Sequence, residues 1–316
     1  MISKIRQFTA VNLRGVAQIM LQDNAVTGFL FLLGVLYSSW LMGVGLLIST
    51  LAGTCVGLFF RKKHHEEFNQ GLYGFNAALL GIILVHQYGL NWTSVRWILI
   101  SSVLATLLMQ LAIAKNIKVF TFPFVVLSWV VVSLISTGNI LPKVNHPTAA
   151  ETVLQEPTAE FFEEVLEQIG IDYDSDNIDD DLIFATLGFG QVMFQGTLIA
   201  GLLFLMGVYI NSPTAALYGI FASILAITVA NMFNRPDSAV DTGLFSFNAI
   251  LCAIAFAGPL RRDGFWVVIA TVITVIIDDY MIQTSIPPYT FPFVATMWLI
   301  LLTRMGLSSI YKFLGI

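Results

Sequence analysis

Long apolar stretches alternate with short polar intervals along the chain. Ten of them form two groups of five, at 25–41, 43–60, 71–88, 95–114 and 119–137, and at 197–213, 215–232, 243–258, 265–282 and 290–313. A helix that crosses the hydrocarbon core of a bilayer needs roughly 20 mostly apolar residues. The pattern therefore predicts an all-α polytopic membrane protein with ten crossings.

Two shorter apolar stretches, near 8–22 and 183–195, each precede a group of five. Neither is long enough to cross a core of about 30 Å as a helix. Segments of this kind occur at membrane depth only where protein shields them or where they line a wet cavity. We expect both to be re-entrant half-helices.

The two groups of five are copies of one unit. GLYGFNAAL at 71–79 matches GLFSFNAIL at 243–251 in six of nine positions, and TFPFVVLSW at 121–129 matches TFPFVATMW at 290–298 in six of nine. A weaker match, QIMLQDNAVTG with QVMFQGTLIAG, is collinear with these, since the three offsets are 172, 169 and 173 residues. Duplication predicts a first repeat at 1–137 and a second at 183–316.

Five crossings per copy is an odd number, so the second repeat is expected to be inverted in the membrane. With a cytoplasmic N-terminus, twelve Lys and Arg residues fall on the cytoplasmic side and only Arg96, Lys143 and Arg235 fall outside. Positive residues favour cytoplasmic loops, so both termini are predicted to be cytoplasmic.

The segment 138–182 between the repeats holds 12 of the 20 acidic residues and is predicted to be an acidic extracytoplasmic linker. Phe161, Val165 and Ile169 have the spacing of a short amphipathic helix. The acids at 172–176 begin like a calcium loop, but Asn177 and Ile183 occupy the places of its required Gly and Glu. A solvated linker is the favoured interpretation.

Composition agrees with a membrane protein and excludes several functions. Hydrophobic residues make up 57% of the chain and charged residues 11%, against about 25% charged in soluble domains. The net charge of −5 offers no basic surface for nucleic acid. The sequence contains no HExxH, GxSxG or P-loop pattern. We therefore expect no enzyme activity, no metal site and no cofactor.

Four pairs of polar residues recur in the two copies within apolar surroundings: Gln18 with Gln191, Gln22 with Gln195, Asn76 with Asn248, and Thr121 with Thr290. An unsatisfied amide or hydroxyl in hydrocarbon is costly, so each must bond within the protein or border a polar path. For the two Asn residues, a role in tying helices together is favoured. The two Thr residues precede Phe-Pro, which breaks the helix, and broken helices build binding sites in transporters.

Aromatic rings accompany these polar groups, since Phe75 and Phe247 precede the two Asn residues and Phe194 follows Gln191 by three. Rings beside amides and hydroxyls favour a planar, neutral, hydrogen-bonding solute over an ion. Asp278 and Asp279 adjoin an apolar run and are candidates for ion or proton coupling. A location at the membrane interface is the favoured interpretation of both.

Taken with the doubled FNAAL and FNAIL elements and the doubled TFPF elements, the chain resembles the urea transporter family over nearly its whole length. The resemblance implies a passive urea channel within each protomer of a homotrimer in the lipid of a bacterial inner membrane. It implies a constriction at one threonine from each half, aromatic slots on both sides and hydrogen-bonding residues at the two mouths. The implied substrate-binding residues are Gln18, Leu21, Phe75, Leu79, Thr121, Gln191, Val192, Phe194, Phe247, Leu251 and Thr290.

The sequence departs from the family pattern twice. Gln191 stands where the family often has Glu, and Leu21 replaces the slot aromatic of the first half. Both changes keep the path neutral and leave open other small amides or ammonia as solutes. An ion-coupled or proton-coupled secondary transporter is the main alternative, and a membrane enzyme or scaffold is a more distant one.

Overall fold

The computed structural model describes residues 2–144, 179–233 and 243–314, with side chains described for 3–144, 185–233 and 243–304. Every regular element within these ranges is a helix. The predicted amphipathic helix and the acidic run at 172–177 lie outside the described residues, as does Arg235. The structure therefore agrees with the all-α class.

The helices of the two halves follow one another in the same order. In the first half they are α1 (Ile2–Ala17), a 3-10 turn (Gln18–Met20), α2 (Ala25–Ser38), α3 (Trp40–Gly57), α4 (His65–Asn69), α5 (Phe75–Tyr88), α6 (Trp92–Ala114) and α7 (Phe122–Thr137). In the second half they are α8 (Asp179–Gln191), α9 (Leu198–Asn211), α10 (Pro213–Met232), α11 (Phe247–Phe256), α12 (Arg261–Gln283) and α13 (Phe291–Leu314). Each of the ten predicted stretches holds one of these helices.

Within the described ranges, four helices, α3, α6, α10 and α12, are long and apolar enough to cross a membrane by themselves, and the bent pair α1–α2 makes at most a fifth span. Two of the four belong to each half, at matching places. Among the described residues, four other apolar helices, α5, α7, α9 and α11, have 10–16 residues. A helix rises 1.5 Å per residue, so these four are shorter than a bilayer core, whereas α13 has 24 residues. The protein is an all-helical polytopic membrane protein, and the count of ten crossings stays a prediction.

The two segments predicted as half-helices end in the same way. The backbone turns left-handed at Leu21 (φ 59°) after α1 and at Phe194 (φ 60°) after α8. After the first of these turns, the chain bends by 74° into α2. Gln22 and Gln195 brace these turns, since their side-chain amides donate to the carbonyls of Met20 and Met193. Each sharp turn is therefore stabilised by a glutamine that the sequence repeats.

Glycine sets a second repeated turn, which leads into α5 and α11. Gly71 and Gly243 both have positive φ, at 82° and 74°. A Cβ atom would lie 2.7 Å from the carbonyl carbon of Arg14 in the first case and 2.7 Å from the nitrogen of Gly188 in the second. Only glycine permits this conformation and this close approach to α1 and α8.

The shortest apolar helices lie innermost. Helix α5 buries twelve of its residues, and nine residues of α11 are buried. A helix that is apolar all round is stable only when it is enclosed. Exposed large apolar residues belong largely to the longer helices, for example Leu99 and Leu111 of α6. The polar groups at the N-termini of α5 and α11 therefore lie deep within the protein.

Candidate functional site

The two Thr-Phe-Pro elements meet at the centre of the molecule. Thr290 Oγ1 donates a hydrogen bond of 2.7 Å to Thr121 Oγ1. Each threonine is only 2% exposed. The sequence paired these residues by repeat position alone, and the structure brings their hydroxyl groups into direct contact.

Each threonine lies where its helix begins, because the residue before it turns the backbone. Phe120 and Tyr289 have left-handed backbones, with φ of 50° and 44°. Pro123 stands in the first turn of α7, a position where the missing N–H costs nothing. The segments before the two helices are therefore not helical. The threonine hydroxyls therefore lie at the N-termini of two helices, and the Phe-Pro pairs begin these helices instead of breaking them.

Asn76 and Asn248 hold these helix N-termini in place. Asn76 donates to the Phe120 carbonyl at 3.3 Å and accepts from the Phe124 nitrogen at 3.0 Å. Asn248 donates to the Tyr289 carbonyl at 3.0 Å. It also accepts from the nitrogen of Phe293, at 3.4 Å. The favoured interpretation of both residues, as ties between helices, is confirmed.

Two tryptophans join the halves across the threonine pair. Trp129 Nε1 donates to the Pro287 carbonyl at 2.8 Å, and Trp298 Nε1 donates to the Lys118 carbonyl at 2.9 Å. The ring of Trp129 also contacts that of Phe291, with centroids 5.3 Å apart. In the equivalent contact, the rings of Trp298 and Phe122 are 4.9 Å apart. Each half thus holds the loop that leads into the other half's threonine.

Aromatic rings gather on one side of the threonine pair. The Phe194 ring lies 5.9 Å from that of His86, 6.4 Å from that of Phe124 and 6.5 Å from that of Tyr289. Phe124 and Tyr289 are themselves 5.8 Å apart, edge to face. These four residues, His86, Phe124, Phe194 and Tyr289, form the aromatic cluster.

The equivalent positions in the other half are less aromatic. Phe120 and Phe293 repeat the edge-to-face pair at 5.3 Å. Leu21 stands in the position of Phe194, and Gly258 in that of His86. Since Leu21 is partly buried against the same core, the two sides of the threonine pair have similar backbones and different side chains.

Five of the other predicted site residues belong to one buried hydrophobic core. Phe75 and Phe247 are the first residues of α5 and α11, and both are buried. Leu79 and Leu251 follow one turn later and are 0% exposed. Val192 is also buried within the core. The two mouth residues of the prediction, Gln18 and Gln191, are partly buried at the ends of the half-helices.

Sequence reasoning missed three members of the aromatic cluster. Phe124 was recoverable, because it is the last residue of the repeated TFPF element. Tyr289 was recoverable, because it precedes Thr290 just as Phe120 precedes Thr121. His86 has no repeated counterpart, so a comparison of the copies gives no signal for it. The tryptophans at 129 and 298 are visible as matched positions, but their hydrogen bonds to the opposite half are not.

The acidic pair at 278–279 lies inside the protein instead of at its exposed surface. Asp278 is 0% exposed and Asp279 is 8% exposed. Asp278 Oδ1 accepts from Asn248 Nδ2 at 3.0 Å, and Asp279 Oδ2 accepts from Gln283 at 2.6 Å. Helix packing and amide donors therefore enclose both carboxyl groups, and their location at the membrane interface stays a prediction.

Apart from the carboxyl group of Asp278, neutral side chains surround the threonine pair. Thr, Asn, Trp and Phe side chains make the contacts above, with Tyr289 and the imidazole of His86 beside them. Among the described residues, no group of three or more His, Cys, Asp or Glu side chains forms a metal site. The arrangement can exchange hydrogen bonds and ring contacts with a solute, and it offers little to compensate the desolvation of an ion.

Fold and site together define a membrane transport protein in which two matching helix N-termini present hydroxyl groups deep within the chain. A family model described as urea transporter matches residues 9–305, and the chain belongs to the urea transporter family. This is a family of transporters and not of enzymes.

Curated relatives extend this likeness over most of the chain. Urea transporter 1 of Ovis aries is 24% identical over 324 residues, which cover 97% of this chain and 79% of the relative. Urea transporter 1 of Rattus norvegicus is 25% identical over 266 residues, which cover 80% of this chain and 64% of the relative.

Proposed function

We propose that this protein transports urea passively, along an uncharged path that passes between Thr121 and Thr290. The observation that carries the proposal is the buried hydrogen bond of 2.7 Å between these two hydroxyls, at the N-termini of two matching helices. Membership of the urea transporter family supplies the solute.

The chemistry of the threonine pair suits urea. A hydroxyl group both donates and accepts hydrogen bonds, and urea carries N–H donors and a carbonyl acceptor around one plane. A urea molecule between the two threonines exchanges its water for these hydroxyls. Because urea is neutral, its passage avoids the far larger cost of desolvating an ion.

The aromatic cluster supplies a slot on one side of the pair. In this proposal the rings of Phe194 and Tyr289 line one wall of the slot and leave the edges of a flat solute free for hydrogen bonds. Phe75 and Phe247, with Leu79 and Leu251, form the remaining walls in this proposal. Val192 lines the slot beside Phe194, Leu21 forms the plainer wall of the opposite slot, and Gln18 and Gln191 bind urea at the two mouths.

The proposal includes an inverted arrangement of the repeats 1–137 and 183–316, with 138–182 as an extracytoplasmic linker. The reciprocal bonds of Trp129 and Trp298 support it, because a twofold relation exchanges one for the other. The Phe120–Phe293 and Phe124–Tyr289 ring pairs are exchanged in the same way. The proposed location is a bacterial inner membrane, with cytoplasmic termini and three protomers.

A second candidate is proton-coupled or ion-coupled transport. The burial of Asp278 favours it, because ionisable groups enclosed in membrane proteins often carry coupling. The two candidates differ in energetics, since a passive channel equilibrates urea and a coupled carrier accumulates it. Ammonia and other small amides are alternative solutes for the same neutral path.

Urea flux into proteoliposomes separates these candidates. We expect the purified protein to equilibrate urea without any ion gradient, at a rate nearly linear in urea concentration. An imposed proton or sodium gradient should leave the rate and the final concentration unchanged. Accumulation above the external concentration would contradict passive transport, and flux no faster than in protein-free vesicles would contradict urea transport altogether.

A further inference from the structure

The two asparagines that hold these helix N-termini have different third partners. Asn248 Nδ2 lies 3.0 Å from the Tyr289 carbonyl and 3.0 Å from Asp278 Oδ1. Asn76 Nδ2 lies 3.3 Å from the Phe120 carbonyl and 4.0 Å from the sulfur of Met109. Met109 and Asp278 are equivalent, since α6 and α12 match at an offset of 169 residues.

A buried polar cluster accompanies Asp278 in the second half. Thr274 Oγ1 contacts the sulfur of Cys252 at 3.1 Å and Thr296 Oγ1 at 2.9 Å. The equivalent positions in the first half carry Leu80, Ala105 and Leu127, which are apolar. The carboxyl group therefore belongs to a polar environment that only one repeat possesses.

The carboxyl group gives the second asparagine a stronger third partner than the first one has. A carboxyl oxygen is a good hydrogen-bond acceptor, whereas a thioether sulfur is a weak one. Both amide hydrogens of Asn248 have oxygen partners, whereas the amide nitrogen of Asn76 has one oxygen partner, at 3.3 Å. On the acceptor side the order is reversed, since Asn76 accepts from Phe124 at 3.0 Å and Asn248 accepts from Phe293 at 3.4 Å. The carboxyl group therefore adds one polar contact to the asparagine that bonds the Tyr289 carbonyl, next to Thr290.

We propose that Asp278 is a positioning residue for solute selectivity, which acts through Asn248 to hold Thr290 fixed at the constriction. Thr121 is then the partner that yields when a solute passes. Asp278 does not touch the solute in this account. A rigid Thr290 limits the width of the passage, so loss of the carboxyl group admits bulkier analogues more readily. This inference rests on the proposed urea path.

Two substitutions test the positioning role of Asp278. The measurement is the ratio of urea to N-methylurea permeability in proteoliposomes. Asp278→Asn keeps an oxygen acceptor for Asn248, and we expect the wild-type ratio within about twofold. Asp278→Met installs the residue that the first repeat already carries, and we expect the ratio to fall about tenfold. Thr271→Val is the matched control, because Thr271 is buried on the same helix and its hydroxyl has no partner among the described residues.

A double-mutant cycle with Asn248→Ala checks that the effect passes through Asn248. If Asp278 acts through Asn248, the double variant Asp278→Met with Asn248→Ala will show no larger change in the urea to N-methylurea ratio than Asn248→Ala alone. The reason is that the effects of coupled residues are not additive. Additive changes would overturn the proposal, since they require an independent structural effect.

The remaining outcomes are also decisive. The positioning role would be overturned if the urea to N-methylurea ratio were unchanged in Asp278→Met, or if it fell equally in Asp278→Asn. Urea flux through the wild-type protein would still leave the proposed function standing in either case. Absence of urea flux in the wild-type protein would overturn the proposed function itself.

Discussion

Trp129 and Trp298 occupy equivalent positions in the two repeats, and each donates its indole hydrogen bond to the loop that precedes the threonine of the other half. The acceptors, the carbonyls of Pro287 and Lys118, are equivalent as well. These bonds hold together the two helix ends that carry Thr121 and Thr290. The contact between the repeats is thus made by matched groups on both sides.

Replacing either tryptophan by phenylalanine will loosen this contact. Trp129→Phe and Trp298→Phe keep a ring and remove the N–H donor, which costs about 1 kcal/mol for one hydrogen bond. We expect urea permeability to fall about fivefold in each, and by similar amounts because the bonds are equivalent. Stopped-flow light scattering of proteoliposomes measures the permeability.

Trp92→Phe is the control for these variants, because Trp92 is 85% exposed. It should retain wild-type urea permeability. A large loss in only one of the variants Trp129→Phe and Trp298→Phe would contradict the equivalence of the contacts.

The glycine turns before α5 and α11 are expected to tolerate no side chain. Gly71→Ala and Gly243→Ala add both a positive-φ penalty and a collision with backbone atoms of α1 or α8. The positive φ alone costs roughly 1 kcal/mol. We expect the apparent melting temperature in detergent, followed by intrinsic fluorescence, to fall clearly in both variants.

Gly89→Ala tests backbone strain without the collision. Gly89 has φ 67° and ψ 176°, a conformation that essentially only glycine adopts, and the nearest atom to an added Cβ is 3.5 Å away, on Val144. A fall in melting temperature is therefore expected in this variant from strain alone. An unchanged melting temperature in Gly71→Ala and Gly243→Ala would contradict the collision with α1 and α8.

The difference between Leu21 and Phe194 predicts unequal solute affinity on the two sides of the threonine pair. Leu21→Phe supplies the missing ring, and aromatic contacts contribute about 0.5–1.5 kcal/mol. We expect the half-saturating urea concentration, measured by tracer exchange, to fall about threefold. Phe194→Leu should raise it. Opposite or absent shifts would exclude both residues from solute contact.

Much of the architecture could be predicted from the sequence, because the apolar stretches and the collinear repeats are visible in it. The helices of the ten stretches and the pairing of Thr121 with Thr290 follow from periodicity and duplication. The number of crossings did not follow as directly. Helices such as α11, with ten residues, are shorter than their apolar stretch suggests because the chain leaves the helix in a loop.

Features that break the repeat were beyond sequence reasoning. The second copy has no histidine at the position equivalent to His86, so only the structure shows the contact of His86 with Phe194. Asp278 lies near the end of an apolar run, and nothing in that run indicates that the folded protein buries the carboxyl group. Asn248, on another helix, donates a hydrogen bond to it. Contacts between distant elements decided both cases.

The threonine pair provides the most direct test of the account. Thr121→Val and Thr290→Val remove the two hydroxyls with little change in volume, and Thr228→Val is the control, because its exposed hydroxyl bonds only to its own helix. The measurement is urea permeability of proteoliposomes holding equal amounts of each protein. We expect about tenfold lower permeability in either single variant and little further loss in the double variant, since the two groups act as one site. Wild-type permeability in the double variant would contradict the claim that urea passes between Thr121 and Thr290.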